Sequence, residues 1–119
     1  MNYVWLEEYC LNKKGAEKEI KEDWEATLYR LRGKIFVMKG GDREGKPIIT
    51  LKCDPSFGRF LRDEYKDIIP GYHMNKEHWN SIYIGGKVPD EVVKQMIDMS
   101  YSIILNSFSQ KVQKEINME

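Results

Sequence analysis

The chain has 119 residues, of which 41% are hydrophobic and 12% aromatic, and its 19 Lys+Arg balance 19 Asp+Glu. That length fits one domain spanning 1–119, and the aromatic content supplies buriable surface that disordered chains lack. Zero net charge excludes a strongly basic nucleic-acid-binding domain, two cysteines exclude a disulfide framework, and no apolar run approaches the ~20 residues of a membrane helix. The opening Met1–Glu8 does not read as a secretory leader, so a cytoplasmic location away from membranes is expected.

In chain order, Val4, Leu6, Tyr9, Cys10 and Leu11 predict a short first helix, ended by Lys13-Lys14-Gly15. The charged segment 16–25, built around Ile20 and Trp24, is expected to be an exposed lead-in to a sheet. Ala26–Leu31 and Ile35–Lys39 predict a hairpin that turns at Arg32-Gly33-Lys34. After a glycine-rich loop at 40–46, Pro47–Cys53 alternates, with Ile49, Leu51 and Cys53 on one face and Ile48, Thr50 and Lys52 on the other. Asp54-Pro55 is an N-cap followed by a first-turn proline, and it opens a second helix that runs to about Lys66. Ile68-Ile69-Pro70-Gly71 is expected to break the chain. Tyr72–Met74 and Trp79–Ile84 are expected to pair as short strands. Pro89-Asp90 opens a last helix with an apolar stripe from Val92 to Phe108, and residues 109–119 are expected to be its fraying end. The order is α-β-β-β-α-β-β-α, an α+β fold with an antiparallel sheet and helices packed on one face.

The neutral total hides a distribution. Residues 1–29 hold four Lys against seven Asp/Glu (−3), residues 30–66 hold ten Lys/Arg against five (+5), and residues 67–119 hold five Lys against seven (−2). A basic hairpin with flexible loops is suited to meeting a phosphate backbone through Arg30, Arg32, Lys34, Arg43, Lys46 and Lys52, with Lys76 as a further candidate. The competing reading is that these charges solubilise turns and protect sheet edges. With acidic segments on either side, any such binding is expected to be weak and strongly salt-dependent.

The most distinctive stretch is Gly71-Tyr72-His73-Met74-Asn75-Lys76-Glu77-His78-Trp79-Asn80-Ser81-Ile82. It follows Leu51-Lys52-Cys53-Asp54-Pro55 and precedes Pro89-Asp90-Glu91 and Ser100-Tyr101. Together with the opening Trp5-Leu6-Glu7-Glu8-Tyr9-Cys10, this pattern resembles the MmcQ/YjbR family of small bacterial proteins usually labelled as DNA-binding. The resemblance covers nearly the whole chain, departing from the family's pattern in 17–25 and 40–46. It implies a secretion-chaperone or frataxin-like α+β fold and a "double-wing" surface proposed to contact DNA. No catalytic mechanism or cofactor comes with it.

Other candidates are weighed on chemistry. His73 and His78 alone make a poor metal site, so no metal is expected. Cys10 and Cys53 lack an activating neighbour and read as small buried groups rather than nucleophiles. Met74, Met96 and Met99 read as core filler. Trp79 is either core or a stacking surface. Beside it, Tyr72, His73, Asn75 and Lys76 form an alternative surface for a small ligand or protein partner. The acids Glu7, Glu8, Glu17, Glu19, Glu22, Asp23 and Glu25 read as a solvated surface rather than an iron-gathering ridge. No nucleophile–base set or phosphate loop appears, so a non-enzymatic binding module is expected.

Overall fold

The structure is a computed structural model and describes residues 2–71 and 74–119. Its strands are β1 (Ala16–Lys21), β2 (Ala26–Leu31), β3 (Lys34–Gly41), β4 (Pro47–Lys52), β5 (Ile68–Pro70) and β6 (Trp79–Tyr83). They form one antiparallel sheet in the order β1-β2-β3-β4-β6-β5. The helices are α1 (Leu6–Leu11), α2 (Pro55–Glu64), α3 (Asp90–Asn106) and α4 (Gln110–Asn117), with a 3-10 turn at Glu22–Trp24. Among the described residues no helix is long and apolar enough to cross a membrane.

The α+β class and the antiparallel sheet are as the sequence predicts. The core lies between the sheet and the four helices, and its strand side includes Tyr29, Leu31, Phe36, Val37, Ile49, Leu51, Ile68 and Ile82. At the centre, the ladder between β2 and β3 shifts register at Tyr29/Arg30, leaving Phe36 without an opposite residue. A bulge of this kind turns consecutive side chains to one side. Phe36 and Val37 are accordingly both fully buried, with the Phe36 ring edge-on to Tyr101 of α3 at 5.4 Å. Ser100 completes the repair: its hydroxyl donates to the Phe36 carbonyl at 2.6 Å and accepts from the Lys52 N–H at 2.9 Å.

Three expectations are corrected. The lead-in at 16–25 contains strand β1, paired to β2 from Ala16↔Leu31 to Lys21↔Ala26. As an edge strand that is mostly exposed, it carries charge on both faces and shows no apolar alternation. Side-chain pairs supplement its backbone bonds, as in Arg30 Nε to Glu19 at 2.8 Å. The strand pairing with β6 is Ile68–Pro70, read from sequence as a breaker. Pro70 is tolerated because β5 is the other edge, where a missing N–H breaks no ladder. Met74 lies outside any strand, and Tyr72 and His73 fall outside the described residues. Finally, 110–117 form a separate helix, α4, capped by the Ser109 side chain and anchored by a fully buried Ile116. Its single deep anchor makes too weak a stripe to stand out in the sequence.

Gly71 is required by close approach. A Cβ there would lie 2.6 Å from Trp79 Cβ and 2.7 Å from the Trp79 carbonyl oxygen, the same carbonyl that accepts the Gly71 N–H. Because backbone must move to relieve the clash, Gly71→Ala is expected to cost about 1–3 kcal/mol. Urea unfolding checks this, and a loss below about 0.5 kcal/mol would contradict the close approach.

Candidate functional site

With α1, α2 and α3 on one face, the other face of the sheet carries no α-helix among the described residues. The register aligns Met38, Thr50 and Ser81 across it, and Gly40, Ile48 and Tyr83 in the next row. Thr50 and Ser81 are fully buried and share a hydroxyl–hydroxyl hydrogen bond of 2.7 Å. Above them lies a groove of about 380 Å³ between Trp24 and Met74, floored by Ala26, Gly40, Ile48 and Thr50, with Met38 as a further wall. Trp24 stands on the 3-10 turn after β1 and is 55% exposed, so one side of the groove is open to solvent.

Lysines stand over three aromatic rings on or beside this face. Lys21 Nζ is 5.0 Å from the Trp24 ring, Lys46 Nζ is 5.6 Å from Tyr83, and Lys52 Nζ is 6.0 Å from Trp79. Lys52 and Trp79 are opposite residues of β4 and β6, so their side chains share a face. Beside Lys46, Asp42 organises the β3–β4 loop. Partial desolvation opposes its charge, but the Lys46 and Glu44 N–H groups and the Tyr83 hydroxyl hold its carboxyl below the usual range.

The predicted phosphate-binding residues do not form one cluster. Arg32 and Gly33 both take positive φ (47° and 85°), the pattern of a type I′ hairpin turn. The turn directs Arg32 to the C-terminal segment, where it meets Glu119 at 2.9 Å and Glu115 at 3.6 Å. Glu119 raises the Arg32 pKa, so its charge is already balanced. Lys34 donates to the Ser107 hydroxyl at 2.8 Å and lies over the Phe108 ring. Arg30 is held by Glu19 and by the Gly33 carbonyl at 2.7 Å. Arg43 and Lys46 sit at the opposite end of β3, about 20 Å from the Arg32 turn. Lys52 shares the Arg32 end, and Lys76 is exposed on the turn before β6.

The alternative surface is partly consumed by its own turn. The Asn75 side chain accepts from the Glu77 N–H at 2.9 Å, its carbonyl accepts from the Trp79 N–H, and the His78 carbonyl accepts from the Cys53 N–H. Met74, read as core filler, instead lines the groove, whereas Met96 is fully buried. Cys10 and Cys53 are buried free thiols, and burial pushes both up to about 12, which keeps them protonated and unreactive at neutral pH. Among the described residues no three His, Cys, Asp or Glu side chains converge on a metal-sized site. Trp24, Met38 and Gly40 line the groove without standing out in the sequence as site residues. The available signal was an exposed-looking tryptophan inside a charged run.

The YjbR family model matches residues 11–103, a span that includes all six strands and the whole groove and ends inside α3. The chain is 33% identical over 109 residues to the uncharacterized protein YjbR of Escherichia coli K12, covering 92% of each. The chain belongs to the YjbR family. It is also 33% identical over 92 residues to the uncharacterized protein YbdF of E. coli O157:H7, covering 77% of this chain and 75% of that one. The crystal structure of a Deinococcus radiodurans protein with a DUF419 domain shares the fold at a TM-score of 0.84 and 24% identity, over 94% of this chain and 85% of that one. A Pseudomonas syringae crystal structure does so at 0.75 and 23%, over 87% and 99%. Helix α4, which occupies the Arg32 turn, lies beyond the matched span.

Proposed function

We propose that this YjbR-family chain is a non-enzymatic protein that binds DNA weakly through its phosphates, chiefly with Lys21, Lys46, Lys52 and Lys76. The observation that carries this is the set of lysines held against aromatic rings on or beside the helix-free face. Arg30, Arg32 and Lys34 contribute less, because Glu19, Glu115 and Glu119 already neutralise the two arginines and Ser107 holds the lysine. Backbone contacts of this kind carry little sequence information. Three or four of them make affinity fall roughly 20- to 150-fold between 50 and 200 mM salt.

Fluorescence anisotropy with a labelled oligonucleotide tests this at those two salt concentrations. Lys46→Glu with Lys52→Glu is expected to weaken binding more than about tenfold, because two attractive charges become repulsive. Arg32→Glu with Lys34→Glu is expected to have a smaller effect. Undetectable binding at the lower salt, or no loss in the Lys46/Lys52 pair, refutes the proposal.

A second reading, a small-ligand or protein-partner module using Tyr72, His73, Asn75, Lys76 and Trp79, is favoured by Met74 of that turn forming a groove wall. NMR shifts centred on Met74 and Trp79 with a neutral ligand, and none with oligonucleotide, would select it.

A further inference from the structure

We infer that the groove between Trp24 and Met74 accepts an unstacked base of single-stranded DNA, with the strand's phosphates passing Lys21, Lys46 and Lys52. This rests on the DNA-binding reading above.

Gly40 is the first argument. It sits inside β3, where glycine weakens a strand, yet its φ is not positive and a Cβ there would meet nothing nearer than Ala26 Cβ at 3.6 Å. The fold therefore does not need glycine at this position. What the missing side chain provides is the hollow itself, and an interior strand glycine marks a place where another group comes close. Ala26 beside it is the smallest residue that still has a Cβ, so the floor is flat over two adjacent strands.

The walls suit a planar ring. The Trp24 indole is half in solvent, while Met38 and Met74 supply flexible thioether chains that pack against aromatic faces. At the floor, the Thr50 and Ser81 hydroxyls are fully buried and bonded to each other, so the groove holds a ring by packing and selects no base by its edge. The alternation of cations and rings decides the occupant, and the neighbouring acids Asp23, Glu25 and Asp42 keep its affinity low. A lysine near each of Trp24, Tyr83 and Trp79 alternates cation with π-face, the arrangement that tracks a single strand by stacking and phosphate attraction together. Trp79 and Tyr83 lie four residues apart on β6, about 13 Å, so the track is longer than one nucleotide. A base-paired duplex keeps its bases within the stack and cannot fill such a groove.

The test compares a labelled dT12 strand, a duplex of the same length and an abasic strand with the same phosphates, all at low salt. Binding of dT12 is expected to be about tenfold tighter than that of the abasic strand, with quenching of tryptophan fluorescence. Gly40→Val, which fills the hollow with a strand-favouring residue, is expected to abolish that preference without lowering the thermal midpoint. Trp24→Ala, at an exposed position, is expected to do the same and serves if the valine variant misfolds. Equal binding of dT12 and the abasic strand overturns the inference, as does a preference that survives both variants, or free thymidine monophosphate binding as tightly as the strand. If duplex and single strand bind alike and depend on Lys46 and Lys52, this inference alone falls. If neither binds, the DNA reading falls with it.

Discussion

Replacing Phe36 with alanine is expected to lower the unfolding free energy by about 3–5 kcal/mol, a large part of the ~5–15 kcal/mol that holds a domain of this size together. The ring is fully buried at the β2–β3 bulge and meets Tyr101 edge-on, at 5.4 Å and 82°. An edge-to-face pair adds about 0.5–1.5 kcal/mol beyond area burial. The backbone around the site cannot close over the gap, because Ser100 ties the Phe36 carbonyl to β4 through the Lys52 N–H. Phe36→Leu, which retains most of the volume, is expected to cost less than half as much. Equilibrium urea unfolding of both variants measures the difference. A loss below about 1 kcal/mol for the alanine variant would mean that the bulge does not anchor α3.

The second large effect is local. Ile116 is the one fully buried side chain of α4, and its Cγ2 lies beside Leu31 Cδ1 above Gly15. An Ile→Ala change at such a site carries a cost of about 2–5 kcal/mol, comparable to what docks an eight-residue helix. Ile116→Ala is therefore expected to release α4 rather than unfold the sheet. Hydrogen exchange would then show amides of 112–118 losing protection, while those of β3 and β4 keep theirs. Release also removes Glu115 and Glu119 from Arg32, so the basic turn gains an exposed charge. Low-salt DNA affinity is expected to rise about two- to fivefold, the scale of one added phosphate contact. Unchanged exchange in α4 would refute the account of its docking.

The balance of 19 cations against 19 anions thus has two structural meanings. Around the β2–β3 turn, neutrality is local: Arg30 and Arg32 meet carboxylates that lie at least 11 residues away in the chain. On the helix-free face Lys21 and Lys52 stand against rings, while Lys46 has both the Tyr83 ring and the Asp42 carboxylate beside it. Counting charge by segment located the positive part of the chain but not its free part.

What the chain order determines is whatever depends on near neighbours and on one buried face. The Asp54-Pro55 start of α2 was legible because capping is a contact over two residues, seen as Ser56 N–H to Asp54 at 3.0 Å. The period of two placed Ile49 and Leu51 of β4 in the core, although Ile48 and Thr50 on its other face are buried as well. The Arg32-Gly33 turn was legible from its own chemistry. Strand β1 was not, because an edge strand bonded through its backbone puts no pattern in its side chains. Nor was α4, whose one deeply buried side chain, Ile116, packs against residues about 85 or more positions earlier. The groove belongs to the same class. Trp24, Gly40, Thr50 and Met74 come from four separate segments, and only the sheet's register brings them together. Long-range pairing is set by the sum of many small packing terms, so the sequence shows the residues of this surface and the tertiary structure alone shows that they share it.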